Sequence, residues 1–365
     1  MRLLALSVLL ACSADKPDSP DATGDSGTIQ ADALGFAVDE VGPYQAGYRT
    51  WDITYDPGLG AGERTIRMNL WYPTEATSGE PAVYTLGAEE TDAFLDAPLA
   101  ASAYGGTYPV HAHSHGNQGW GATSAFLPVY MASHGWVTVA PDHTGNTLID
   151  NIEPKPTATY IHRPLDMTVV LDALEADEIL GDVADTSRVF FSGHSYGSYP
   201  TWLSGGAPLD VEDIHARCDA GETESGECTE AEKDALSQDL SDDRVVALMP
   251  MAGSYRTDWF GAEGYLQAQG PVLHMGGTMD DRGQAAQYEA MTGIDYAWLE
   301  LEGGCHTTFS LGACPSLGTE LGFHLIQTYA LAFARAQVLA DTDPMVVGLL
   351  DGSETLAPQG VYQRR

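Results

Sequence analysis

The chain has 365 residues, and its 52 aspartates and glutamates against 16 lysines and arginines give a formal charge of −36. So acidic a surface excludes nucleic acid as a natural partner and makes an anionic membrane face unattractive. The length suffices for one large domain with a sizeable core.

In chain order, Met1-Arg2 followed by Leu3 to Leu10 is a charged residue and a short apolar run, too short to span a bilayer. Residues 13–34 are rich in Ser, Asp, Gly, Thr and Pro, and read as a flexible acidic linker that cannot bury a core. A folded domain is expected over 35–365. The alternating segments ending at Tyr55 and beginning at Arg64 predict two strands joined by a glycine-rich turn over 57–62. A strand follows at 108–114, a helix at 122–134 and a strand at 136–140.

Residues 164–176 predict a helix with Pro164 in its first turn and Met167, Val170, Leu171 and Leu174 on one face. After the apolar strand Val189-Phe190-Phe191 comes a charged, glycine-rich insertion at about 205–243. Strands then resume at 245–251, 271–275 and 296–301, and a helix over about 319–340 closes the domain. Strands alternating with helices predict an α/β fold, a mostly parallel sheet covered on both faces.

Of the five cysteines, Cys12 stands near the N-terminus. Cys218 with Cys228 and Cys305 with Cys314 are expected to form two short-loop disulfides in an oxidising compartment. Neither pair has the spacing of a zinc knuckle. Leu9-Leu10-Ala11-Cys12 resembles a bacterial lipobox, which implies a signal peptide over 1–12 and lipidation of Cys12. Ser13 in place of Asp favours the outer membrane, by resemblance to Gram-negative lipoproteins. The lipid anchor is then the expected membrane contact.

The chemistry centres on Gly193-His194-Ser195-Tyr196-Gly197, which follows the strand at 189–191. Gly-x-Ser-x-Gly at a strand-to-helix turn is the nucleophile elbow, which lifts the serine hydroxyl off the sheet. A serine nucleophile needs a base, and the base needs an orienting acid. Asp280, after the strand at 271–275 and Gly276-Gly277, is the expected acid, with Asp281 as its rival. His306, after the strand at 296–301, is the expected base, and a Cys305–Cys314 bridge would clamp its loop. The oxyanion needs two backbone N–H groups. Tyr196 supplies one and Asn117 the other, with Gln118 as second choice. Trp120 is a candidate wall of the acyl pocket. His111, His113 and His115 alternate along one strand, yet no further ligand converges on them, so neither a metal nor another cofactor is expected.

These residues, with Ser114-His115-Gly116, Ala140-Pro141-Asp142-His143, Arg163-Pro164-Leu165-Asp166 and Cys305-His306-Thr307-Thr308-Phe309, resemble the α/β-hydrolase family. More narrowly, they resemble the platelet-activating-factor acetylhydrolase-like group, with its bacterial predicted dienelactone hydrolases. The resemblance runs from Gly42 to the final helix. It implies an exported serine carboxylic-ester hydrolase acting on a small or lipid-like ester through an acyl-enzyme. Several features depart from it, among them His111 and His113 in place of the apolar residues expected in their strand and Pro200 early in the elbow helix. Dienelactone hydrolases proper use cysteine where Ser195 stands. The eukaryotic acetylhydrolases place their acid at the end of strand six, where this chain has Met249, so phospholipid specificity is not implied. A cutinase-like polyester hydrolase is the alternative enzyme, and a catalytically silent surface-binding lipoprotein the non-enzyme alternative.

Overall fold

The computed structural model describes residues 36–85 and 89–365, so Cys12, the 1–12 signal segment and the 13–34 linker lie outside the described residues. In chain order the elements begin with β1 (Gln45–Tyr55), β2 (Arg64–Thr74), β3 (Pro81–Val83), β4 (Glu89–Leu95) and β5 (Tyr108–Ser114). Next come α1 (Phe126–Ser133), β6 (Val137–Asp142), α2 (Ala158–Glu175), β7 (Ala184–His194) and α3 (Ser198–Ser204). The second half runs α4 (Val211–Ala220), α5 (Glu230–Leu236), β8 (Val245–Met251), α6 (Thr257–Phe260), β9 (Val272–Gly277) and α7 (Gln284–Ala290). It ends with β10 (Tyr296–Leu301), α8 (Thr319–Leu339), α9 (Pro344–Asp351) and β11 (Gly360–Arg364).

One 11-stranded sheet has the order β11-β10-β9-β8-β7-β5-β6-β2-β1-β4-β3. From β6 through β10 every neighbouring pair is parallel, whereas β1/β2, β2/β6, β3/β4 and β10/β11 are antiparallel. The central strands are buried on both faces, and their residues alternate between two cores. Val189 and Phe191 face the side covered by α2 and α3, with Met167, Val170, Leu171 and Trp202. Phe190, Met249 and Met275 face the side covered by α1 and α8, with Leu127, Ile326, Tyr329 and Phe333.

Helix α2 departs from the expectation. It begins at Ala158, so Pro164 lies inside it rather than in its first turn. The added turn is held by tertiary burial, with Tyr160, Ile161 and Arg163 all packed into the interior. The 205–243 insertion carries two helices, α4 and α5. Asp210 accepts from the Asp213 N–H at the start of α4, and Thr229 with Glu232 forms a capping box on α5. The Cys218–Cys228 disulfide closes the turn between them.

The topology itself marks a site. The chain leaving β5 goes to β6 on one side, while the chain leaving β7 goes on to β8 on the other. Such a reversal opens a crevice beyond the carboxyl ends of the two strands, where ligands bind in open α/β sheets. Ser114 ends β5 and His194 ends β7, so the crevice opens directly onto Ser195.

Candidate active site

Ser195 sits at φ 54°, in the left-handed region that only a few non-glycine residues adopt. The strain is held by close packing on both sides. A Cβ on Gly193 would strike the Gly197 carbonyl, and one on Gly197 would strike the Ser114 carbonyl. Glycine is therefore required at both positions by contact. The Ser198 hydroxyl, donating to the Gly193 and Met251 carbonyls at 3.1 and 3.3 Å, ties the turn down.

The loops after β9 and β10 bring an acid and a base to this serine. Ser195 Oγ lies 2.9 Å from His306 Nε2, and His306 Nδ1 lies 2.6 Å from Asp280 Oδ2. With Nδ1–H donating to the carboxylate, Nε2 is free to accept the serine proton. The two loops are bonded to each other. Thr278 and Met279 donate their N–H groups to the Leu301 and Gly304 carbonyls, and Gly303 N–H donates to Thr278 Oγ1 at 2.8 Å. The Cys305–Cys314 disulfide spans the turn that carries His306. Asp281 points elsewhere and accepts from the Gly283 N–H.

Two further side chains escape sequence reasoning. Arg282 Nε donates to Asp280 Oδ1 at 2.9 Å, so both carboxylate oxygens are engaged. His194, buried behind the serine, lies 3.1 Å from the His306 carbonyl through Nε2 and props the base from below. Burial lowers the pKa of His306, Asp280 pulls it up, and Arg282 pulls it down, with a net lowering. The imidazole is therefore neutral over most of the neutral range, the state a general base needs. Position x of Gly-x-Ser-x-Gly and the second residue after Asp280 were visible in the sequence, but nothing there gave their partners.

The loop after β5 presses against the serine so closely that a Cβ on Gly116 would stand 3.1 Å from Ser195 Cβ. Gln118 N–H is spent on the Asn146 carbonyl at 3.1 Å, which leaves Asn117 N–H beside Tyr196 N–H as the candidate oxyanion donors. Beneath this loop lies Arg163, fully buried. It donates to the His115 and Gly116 carbonyls at 2.6 and 3.2 Å and to Asn146 Oδ1 at 3.1 Å. Burial brings its pKa down to about 10, so it remains a cation at neutral pH. Its guanidinium also lies 4.6 Å from the Tyr196 ring centroid, so one charge braces the segments carrying both candidate donors.

The three strand histidines have other partners. His111 Nε2 and His113 Nδ1 meet Ser192 Oγ at 2.7 and 2.8 Å, and His115 Nε2 accepts from the His143 N–H. Among the described residues no group of three or more His, Cys, Asp or Glu is placed to hold a metal ion.

Ser195 opens into a cavity of about 190 Å3. Its walls include Tyr160, Tyr196, Tyr199, Trp202, Phe260 and Tyr265, with Lys155, Arg256 and Arg282 among them. Trp120 does not line it. Its backbone N–H bonds to Thr123 Oγ1, and it packs against the cluster that includes Ala46, Tyr48 and Trp71, lining a separate groove with Tyr84, Phe126 and Phe323. The 205–243 insertion contributes nothing to the cavity's lining. It braces the wall from outside, where Glu224 accepts from the Tyr160 hydroxyl at 2.8 Å.

No family model and no curated protein matches the sequence. Among solved structures, the chain is similar to a ferulic acid esterase from Streptomyces cinnamoneus, with 19% identity and a TM-score of 0.59. That match covers 90% of this chain and 98% of the esterase. At this identity the likeness establishes a shared α/β fold, and the chemistry has to be argued from the site.

Proposed function

We propose that this chain is an exported serine carboxylic-ester hydrolase of the α/β-hydrolase type. The observation that carries the reading is the strained Ser195, with its hydroxyl 2.9 Å from a histidine that is itself 2.6 Å from a buried aspartate. Ser195 attacks the ester carbonyl while His306 takes its proton. Asp280 holds the imidazole in the required tautomer and stabilises the imidazolium. The Asn117 and Tyr196 N–H groups meet the oxyanion, His306 protonates the departing alcohol, and water releases the acyl group by the same steps reversed.

The similarity to a ferulic acid esterase supports an ester as substrate. A recess of about 190 Å3 favours a small ester over a polymer strand or a long-chain phospholipid. The narrower kinship with the platelet-activating-factor acetylhydrolase-like group is part of the reading as a fold and triad only. The acid expected at Met249 in that group is here Asp280, beyond β9. Export with anchoring through Cys12 completes the proposal, and the two disulfides support it, since such bridges persist in oxidising compartments.

Hydrolysis of 4-nitrophenyl acetate and butyrate by the full chain, alongside Ser195→Ala, tests the reading. The expected loss in Ser195→Ala is on the order of 10⁴-fold or more, with no effect of a chelator on the parent protein. Activity that survives Ser195→Ala, or that a chelator abolishes, would overturn it.

A further inference from the structure

The cavity beside Ser195 presents cations in an otherwise acidic molecule. The chain has 52 acidic residues and 16 lysines and arginines, yet among the described residues three of those cations and no carboxylate line the cavity. Clustered cations in a low-dielectric recess raise the local concentration of anions against an otherwise repulsive surface.

The three cations are not equivalent. Arg282 belongs to the triad through Asp280. Arg256 gives Nε and Nη2 to Asp258 at 2.8 and 2.7 Å, which fixes the orientation of its guanidinium. Lys155 is different. Its side chain is 11% exposed, and the carboxylate within reach is Glu224 at 3.9 Å, beyond hydrogen-bond distance. The other oxygen of Glu224 is taken by the Tyr160 hydroxyl. An ammonium on the cavity wall with no hydrogen-bonded carboxylate is open to an anionic ligand. It stands 4.8 Å from the centroid of the Tyr196 ring, and Tyr196 directly follows the serine. Besides Asn117 and three serines the remaining lining is aromatic, and Trp259 stacks on Tyr160 at 3.7 Å between centroids. Such walls are matched to a flat ring.

We propose that the Ser195 cavity selects aromatic esters that carry a second, anionic group on the ring, a carboxylate above all, and that Lys155 and Arg256 receive that group. The inference rests on the ester-hydrolase reading and adds the substrate class to it. The carboxylate satisfies Lys155 where Glu224 does not, the ring lies among the tyrosines, and the ester carbonyl meets Ser195.

The test compares kcat/KM for monomethyl terephthalate with that for methyl 4-carbamoylbenzoate, a neutral ester of the same size. 4-Nitrophenyl acetate serves as the reference for hydrolase activity. The parent protein should prefer the carboxylate by roughly 10- to 100-fold, the factor a charge-assisted hydrogen bond supplies. The preference should collapse in Lys155→Met, shrink in Arg256→Gln, return in Lys155→Arg, and fall as salt is raised. Equal kcat/KM for the two esters in the parent protein would overturn the inference, and so would a preference untouched in both Lys155→Met and Arg256→Gln. Cleavage of 4-nitrophenyl acetate with neither aromatic ester accepted would overturn the substrate class and leave the hydrolase intact. No cleavage of any of the three would bring down the underlying reading with it.

Discussion

Among the described residues two serines bond to a histidine that in turn holds an aspartate, and their surroundings separate them. Ser114 Oγ lies 2.9 Å from His143 Nε2, and His143 Nδ1 lies 2.8 Å from Asp166, much as in the Ser195 set. All three members are buried, and Asp166 is further held by Arg64 and the Tyr55 hydroxyl. Ser114 sits in a regular strand with no approach for a substrate. Ser195 has the strained turn, the cavity and the two candidate N–H donors nearby. Hydrogen-bond pattern alone does not make a nucleophile. Asp280→Asn should therefore lower kcat by about 10⁴-fold with the fold intact, because the imidazole loses its tautomer partner. Arg282→Gln tests the electrostatics more finely. His306 must be neutral to act as a base, so kcat/KM falls as pH drops through its pKa. Arg282 pushes that pKa down, so its removal should move the acid limb of the kcat/KM profile to higher pH. An unmoved or lower limb would contradict the assignment of His306 as base.

At the scale of elements, the site is a junction of four strand ends, and contact distances set its tolerance. Gly197→Ala should abolish activity and destabilise the protein, since its methyl group would strike the carbonyl at the end of β5. Circular dichroism melts alongside an esterase assay check both. Replacing Cys305 and Cys314 by serine should cost about 2–3 kcal/mol of stability and lower kcat through the loosened His306 loop. The central strands and α8 were legible in the sequence because their apolar periodicity is strong and turn residues bound them. Elements with mixed patterns were not. The helices of the insertion are short and mostly polar, and β4 (EETDAFL) reads as a loop until β1 and β3 pair with it. The helix before Pro164 is held by buried aromatic and charged partners, which no local pattern reports. The order of Ser195, Asp280 and His306 along the strands was legible, as was the role open to Asn117. Arg163 and Lys155 were not, because their partners are distant in the chain, and Arg282 was not, because only the folded loop turns it back onto Asp280. The direction of the Trp120 ring was not legible either, because sequence proximity to Asn117 does not fix it.

At the scale of the molecule, burial of histidine links stability to pH. His111, His113, His115, His143, His194 and His274 are buried, and burial depresses all their pKa values, to about 3 for His113 and His274. In the unfolded chain these side chains titrate near 6.5. As pH falls below that value the unfolded state takes up protons that the folded state refuses. Stability is therefore lost from about pH 6.5 downward, and for His113 and His274 the loss continues to about 3. Each such histidine contributes up to about 1.4 kcal/mol per pH unit in that window. Between pH 7 and 5 ordinary carboxylates remain mostly ionised, so relief of the −36 charge does not offset this loss. Urea midpoints should fall steadily from pH 7 to 5, and a rise would contradict the account. Added salt should raise the melting temperature at pH 7 by screening the acidic surface.

The most direct test of the central claim is the site of covalent modification. The full chain would be treated with a fluorophosphonate and the adduct located by peptide mass spectrometry, with Ser195→Ala in parallel. A single adduct is expected, on Ser195, absent from Ser195→Ala, with Ser114 unmodified despite its own histidine and aspartate. No adduct, or one that persists in Ser195→Ala, would contradict it.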